Sequence, residues 1–203
     1  MIRASGLALL SLLFLGTANS ASAGVIDFTA ALSGPNEAVP NSSLGTGFAR
    51  IHFNYATNLL NLHVTFSGLT GNTTASHIHC CTTLPFTGAA GVATTSPTFA
   101  GFPLGVTSGI YDITLDMLAT STYNNNSNPT FINAHGGTTA SAEAALLAAM
   151  IDGKTYLNIH STAFPGGEIR GFLVVPEPAS LGLLGLGLAA FGFLRRKRKL
   201  AEA

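Results

Sequence analysis

Two adjacent runs of alternating apolar and polar residues constrain the fold of this chain more than any other feature. The runs are GFARIHFN at 47–54 and LNLHVTFSGL at 60–69, with the polar stretch YATN between them. Alternate side chains of a strand point to opposite faces, so the pattern predicts a β-hairpin with one dry face. The apolar positions are Ala49, Ile51, Phe53, Leu60, Leu62, Val64 and Phe66.

Further alternating runs predict the rest of the fold. VIDFTAAL, GIYDITLD, TYLNIHS and EIRGFLVV have the composition of strands and are separated by loops. A helix is predicted over 142–151, because Leu146, Leu147, Met150 and Ile151 form one apolar stripe. Many short strands with turn signals indicate an all-β fold. We expect an antiparallel Greek-key-type β-sandwich or barrel with this one short helix, followed by a C-terminal hydrophobic helix.

The N-terminal residues 1–23 have the three-part layout of a secretory signal peptide. The base Arg3 precedes an apolar run at 6–16, and a small-residue Ala-Ser-Ala sequence follows. Cleavage is expected between Ala23 and Gly24. The protein is therefore predicted to be exported.

The C-terminal residues 176–200 combine a Pro-Glu-Pro motif, a short uncharged apolar span and a basic cluster. The span makes a helix of roughly 21 Å, whereas a bilayer core is about 30 Å thick. A basic cluster stays on the cytoplasmic side, so the preceding chain is expected across the membrane. The parts are Pro176, Glu177 and Pro178, the predicted transmembrane span 181–194, and the basic tail 195–199.

These three parts, in this order, resemble the PEP-CTERM sorting signal over about the last 26 residues. The resemblance implies a Gram-negative bacterium that makes exopolysaccharide, and an exosortase-type sorting protease that cuts near Pro-Glu-Pro. It further implies delivery to the cell envelope, the cell surface or the extracellular matrix. The apolar span is then temporary, as in a GPI signal. A permanent single-span anchor is the alternative.

The remaining residues, 24–175, have a size that fits one domain. They carry three basic and seven acidic residues, a net charge of −4, because six of the nine bases lie in the terminal signals. Proteins that bind a phosphate backbone neutralise it with lysine and arginine, so no nucleic-acid partner is expected. The sequence also lacks a nucleophile elbow, a phosphate loop and an H-E-x-x-H motif, so we do not expect an enzyme.

Four short stretches of residues 24–175 follow a recognisable order: Glu37-Ala38-Val39-Pro40, His77-Ile78-His79, Asn158-Ile159-His160 and Gly167-Glu168-Ile169-Arg170-Gly171. They resemble a CHRD domain, a module named from chordin and common in bacterial secreted proteins. The resemblance implies a β-sandwich and little chemistry. The pair Cys80-Cys81 departs from the pattern, since a glycine often follows the histidine triplet there.

A metal site is one interpretation of the histidines. His77 and His79 are two residues apart on a predicted strand, so both imidazoles lie on one face and can reach one ion. His160 and Glu168 lie on the polar faces of later strands. If these strands are neighbours, the four side chains converge on copper or zinc. The alternative is a hydrogen-bonded polar network in which Glu168 and Arg170 form a structural ion pair.

The two cysteines leave several alternatives open. Exported proteins meet oxidising conditions, so Cys80 and Cys81 should pair. Adjacent Cα atoms are about 3.8 Å apart, below the roughly 4.4–6.8 Å usual for a disulfide. Four alternatives remain open: a strained disulfide between the two, free thiols, a metal ligand at Cys81, and a disulfide to another chain.

Two functional hypotheses follow. The leading one is a non-enzymatic CHRD module at the cell surface or in the exopolysaccharide matrix, where it binds protein or polysaccharide or contributes structure. The alternative is a metal-binding or redox protein of the envelope that uses the His-x-His strand.

Overall fold

A computed structural model describes residues 24–127 and 129–176. The predicted apolar helix over 181–194 lies outside these residues. Within the described part of the chain, no helix is long and apolar enough to cross a membrane. The strands are β1 (Val25–Ser33), β2 (Thr46–Asn54), β3 (Leu59–Ser67), β4 (Thr73–Cys80), β5 (Gly109–Asp116), β6 (Thr155–Ser161) and β7 (Ile169–Phe172), and the helices are α1 (Phe131–Ala134) and α2 (Thr139–Ile151).

The seven strands form one continuous sheet in the order β4-β6-β7-β1-β2-β3-β5, and every pair is antiparallel. The sheet curls into a half-barrel. The predicted antiparallel all-β character is therefore confirmed, although these strands make one curled sheet and not two separate facing sheets. Strand β7 approaches β1 so closely that a Cβ at Gly171 would overlap the carbonyl oxygen of Ala31. Glycine at this position permits the contact that joins the two parts of the sheet.

The predicted hairpin is confirmed as β2 and β3, which pair from Thr46–Ser67 to Asn54–Leu59. The alternating apolar residues of both strands are buried, and Ile51 and Val64 have no exposed surface at all. Their faces belong to a single core that also takes side chains from β1, β4, β6 and β7. Period-two patterning thus predicted which face of each hairpin strand is dry.

Helix α2 confirms the predicted helix but begins earlier. Its N-terminus is Thr139, because Thr138 and Ser141 form a capping box ahead of the first turn. The buried stripe is narrower than expected. Leu146 and Met150 are buried in the core, whereas Ile151 is 53% exposed. Ala142 and Ala149 complete the apolar part of the buried face.

The long segment 81–108 lies beside β4, which is an edge strand of the sheet. It runs along that edge and bonds to it through the backbone, with the amide of Cys80 donating to Gly91 and the amide of Phe99 donating to Ser76. Edge strands need such cover, since their unpaired backbone groups otherwise face solvent. The same cover shields the polar face of β4 from solvent, and that face carries His77 and His79.

We expect Phe66→Ala to lower the free energy of unfolding by about 3–5 kcal/mol, because it removes a packed aromatic ring from the core. Phe66 is buried and its ring stacks on Phe102 with centroids 5.6 Å apart. Arg50 lies on the exposed face of the same hairpin. Arg50→Ala is the matched control and should change the free energy by about 0.5 kcal/mol or less. Equal losses for both variants in urea denaturation would contradict the assigned faces.

Candidate metal centre

The pairing of β4 with β6 brings two distant segments of the chain together. In this antiparallel register His77 lies opposite Asn158, His79 opposite Tyr156, and Ala75 opposite His160. Side chains directly opposite each other project to the same face. The inward face of these strands carries apolar core residues, so the polar residues share the opposite face. The predicted convergence of His77, His79 and His160 is found.

Each of the three imidazoles is oriented by one backbone carbonyl group. A carbonyl oxygen only accepts, so the ring nitrogen that faces it must carry the proton. In a neutral imidazole the other nitrogen then holds a free lone pair, as a metal ligand requires. The donors and acceptors are His77 Nε2 to Pro97 (2.6 Å), His79 Nδ1 to Ala90 (2.9 Å) and His160 Nδ1 to Pro165 (2.8 Å).

One ring nitrogen of each of the three histidines lies within 4.8 Å of a ring nitrogen of the other two. The nitrogens that do not face a carbonyl group are His77 Nδ1, His79 Nε2 and His160 Nε2. All three atoms are buried, and none has a hydrogen-bond partner among the described residues. Leaving a buried polar atom unpaired costs about 1–3 kcal/mol. A bound cation would provide a common partner for the three unpaired nitrogens.

Burial also keeps these rings neutral. It lowers the pKa of His77 and the pKa of His79 to about 4, because the imidazolium would lose its hydration there. Burial lowers the pKa of His160 as well. Carbonyl groups beside the rings favour the charged form, but less strongly than burial disfavours it. The three rings are thus in the protonation state that binds a metal at neutral pH.

A second layer of side chains packs against the histidines. The rings of His79 and Tyr156 stack with centroids 4.7 Å apart, and the guanidinium of Arg170 lies 4.6 Å from the Tyr156 centroid. The Tyr156 hydroxyl donates to the Ala90 carbonyl, the same oxygen that accepts from His79. Arg170 itself is fixed by donating to the carbonyl oxygen of Gly88. These contacts restrict the orientation of His79.

Glu37 and Asn158 form a buried pair beside the histidines. The Asn158 amide nitrogen donates to both carboxylate oxygens of Glu37, at 3.0 and 3.2 Å. Burial raises the pKa of Glu37 to about 7, although Arg170, with its Nε 3.9 Å from the carboxylate, acts in the opposite direction. A Cβ at Gly167 would overlap the Asn158 amide, so only glycine leaves room for the pair.

Glu168 is not brought together with the histidines. Its carboxylate accepts hydrogen bonds from Ser43 Oγ and from the backbone amides of Thr70 and Gly71. Burial alone would raise the pKa of Glu168, but these hydrogen bonds outweigh it and lower the pKa. The ion pair between Glu168 and Arg170, which was part of the alternative to a metal site, is wrong, because the carboxylate that pairs with Arg170 belongs to Glu37.

Cys80 and Cys81 form a disulfide with each other. The alternatives of free thiols, of Cys81 as a thiolate ligand and of a bond to another chain are therefore wrong. Cys81 Sγ lies 4.0 Å from His135 Nε2, at the end of β4. Exposed histidines elsewhere pair with carboxylates, as His52 does with Asp27.

The predicted processing positions lie at the two ends of the described residues. Gly24 and Pro176 are described, whereas Ala23, Glu177 and Pro178 lie outside. The last backbone pairing with the sheet joins Val174 to Thr29. The Pro-Glu-Pro motif therefore begins two residues after the last residue that pairs with the sheet.

Two known families match this chain, and one of them covers its larger part. Residues 28–173 match the CHRD domain. The chain belongs to the CHRD family. Residues 174–199 match the PEP-CTERM protein-sorting motif, which makes this CHRD protein an exported substrate of an exosortase, directed to the envelope or surface of a Gram-negative bacterium. No curated protein and no solved structure is significantly similar to the chain.

We expect the metal-free CHRD protein to lose stability in acid because of its buried histidines. An unfolded histidine takes up a proton near pH 6.5, whereas the folded pKa of His77 and of His79 is about 4. Between these values the unfolded state binds more protons, so the free energy of unfolding falls as pH falls. Each histidine contributes a slope of about 1.4 kcal/mol per pH unit.

Urea denaturation in the presence of a chelator, at pH values from about 7 to about 4, measures this slope. His77→Gln retains a donor for the Pro97 carbonyl but cannot take up the proton. The free energy of unfolding of this variant should therefore fall less steeply with pH than that of the wild type, because one proton fewer is taken up on unfolding. Identical slopes for the two proteins would contradict the burial of a neutral His77.

Proposed function

We propose that this exported CHRD domain binds one zinc or copper ion through His77, His79 and His160. The observation that supports the proposal is the convergence of three buried ring nitrogens, each on an imidazole whose other nitrogen donates to a backbone carbonyl. Metal-ligating histidines commonly have such a partner, which sets the tautomer and the ring orientation. A polar network without an ion would leave these three nitrogens unpaired.

The donor set favours zinc or copper over other cations. Imidazole suits these metals, whereas calcium and magnesium prefer oxygen ligands. Zinc–nitrogen bonds of about 2.0–2.1 Å place tetrahedral ligands about 3.4 Å apart. The three nitrogens lie within 4.8 Å of one another, so small rotations of the rings are enough to close around an ion.

We further propose a non-catalytic role at the cell surface or in the exopolysaccharide matrix. The support for this location is the sorting motif, and neither of the two matching families is an enzyme family. An ion held between β4 and β6 would stabilise the domain, because a ligand that binds only the folded state raises its stability. We propose a protein or a polysaccharide as the extracellular partner, and the sorting motif is the only support for this partner.

The first test is a calorimetric titration of zinc and of copper into protein produced from the full-length chain. We expect saturable binding of one ion per chain. His77→Ala, His79→Ala and His160→Ala should each weaken binding by more than the roughly 10–100-fold that loss of an outer hydrogen bond costs. His52→Ala is the matched control, since His52 is exposed and pairs with Asp27.

Melting temperatures of the metal-free variants show whether each one folds. Absence of saturable binding by the wild type would refute the metal site. Binding unchanged by all three substitutions would place the ion elsewhere and refute it equally.

Export and sorting predict a defined mature chain. In a host with the matching exosortase, the protein should begin at Gly24 and should lack the residues beyond about Pro178. Intact-mass spectrometry of the extracellular protein measures both ends. A mature protein that retains the basic tail 195–199 would instead indicate a permanent anchor.

A further inference from the structure

We propose that Asn158 supplies a fourth ligand, its side-chain oxygen Oδ1, and so closes the coordination sphere of the ion. The inference deepens the proposed function and rests on it. Its consequence is that the ion carries no exchangeable water. A three-histidine site with an open position resembles catalytic zinc sites, whereas a site with four protein ligands resembles structural ones.

The first observation is the set of buried polar atoms without partners. Among the side chains that the structure describes, five buried nitrogen or oxygen atoms have no hydrogen-bond partner. Three of them are the ring nitrogens of the candidate centre, and a fourth is Asn158 Oδ1. Such atoms are rare in folded proteins and each calls for an explanation. Four of them on one face of two paired strands have a common explanation in a single bound cation.

The register supports this grouping. Asn158 lies directly opposite His77 in the β4–β6 pair, and it is two residues from His160 on β6. Opposite residues of an antiparallel pair have Cβ atoms about 4.5–5.5 Å apart, and residues two apart on a strand share a face. The Asn158 side chain is therefore on the same face as the two histidines nearest to it.

The second observation concerns the orientation of the Asn158 amide. Its nitrogen donates to both oxygens of the Glu37 carboxylate, so the oxygen is the end of the amide left without a partner. Hydrogen bonding of the nitrogen to a carboxylate also increases the electron density on the amide oxygen, which makes it a better ligand. Glu37 is thus a positioning residue for Asn158.

Cobalt(II) as a spectroscopic probe, with azide as a competing ligand, tests the closed site. Azide binds to a cobalt ion that carries a displaceable water molecule or an open coordination position, and its binding changes the visible absorption spectrum. For protein produced from the full-length chain and loaded with cobalt, we expect the spectrum of a tetrahedral ion and no response to azide. Asn158→Ala should still bind cobalt through the histidines, with an affinity lower by at least the roughly tenfold that loss of an outer partner costs, and its spectrum should respond to azide.

Two further variants separate ligation from folding. Asn61→Ala removes an exposed asparagine on β3 and should leave affinity and azide response unchanged. The double variant Glu37→Gln/Asn158→Asp reverses the direction of the buried hydrogen bond and keeps an oxygen ligand at position 158. It should bind cobalt at least as tightly as the wild type and resist azide, even if Asn158→Ala fails to fold.

The outcomes distinguish the two proposals. An azide response in the wild type would overturn the closed site while leaving the three-histidine site intact. If Asn158→Ala binds cobalt with the affinity and the spectrum of the wild type, ligation by Asn158 is refuted, whereas the three-histidine site is not. Azide sensitivity of the double variant would do the same. Failure of the wild type to bind cobalt, zinc or copper would instead refute the metal site itself.

Discussion

The pairing of β4 with β6 is the constraint on which the candidate centre depends. One antiparallel register sets His77 against Asn158 and brings His79 and His160 to the same face, although the two strands are separated by about half of the described domain. A shift by one residue would turn the side chains of one strand to the other face. The apolar residues Ile78, Leu157 and Ile159 prevent that shift, because they would then leave the core. Core packing thus determines the geometry of the polar face.

The covering segment 81–108 gives this polar face its chemical character. It supplies the Pro97 and Ala90 carbonyl groups that orient His77 and His79, and it excludes solvent from both rings. Exclusion of solvent disfavours the imidazolium form, and the carbonyl groups leave one lone pair of each ring directed inward. A site preorganised in this way would lose little free energy on binding an ion, since its imidazoles need neither deprotonation at neutral pH nor large movements.

Much of the fold could be predicted from local pattern. The hairpin strands, the strands at 109–116 and 155–161 and the one long helix follow from periodicity, which depends on residues close in sequence. The errors concern contacts between distant residues. Glu168 shares the polar pattern of the last strand, yet its carboxylate turns to Thr70 and Gly71. Arg170 faces Glu37, which lies in a loop with no periodic pattern to mark it.

The sequence by itself determined that the chain is exported, carries a sorting motif and folds as antiparallel β-structure with a His-x-His strand. These properties depend on composition and on spacing along one strand. Only the tertiary structure decided which side chains join the two histidines. The tertiary structure brings His160 to the two histidines and turns the Glu168 carboxylate away from them. It also places Asn158 and Glu37 beside the candidate site. The physical reason is that the set of side chains around the two histidines depends on strand order and register, and both are set by packing between segments far apart in the chain.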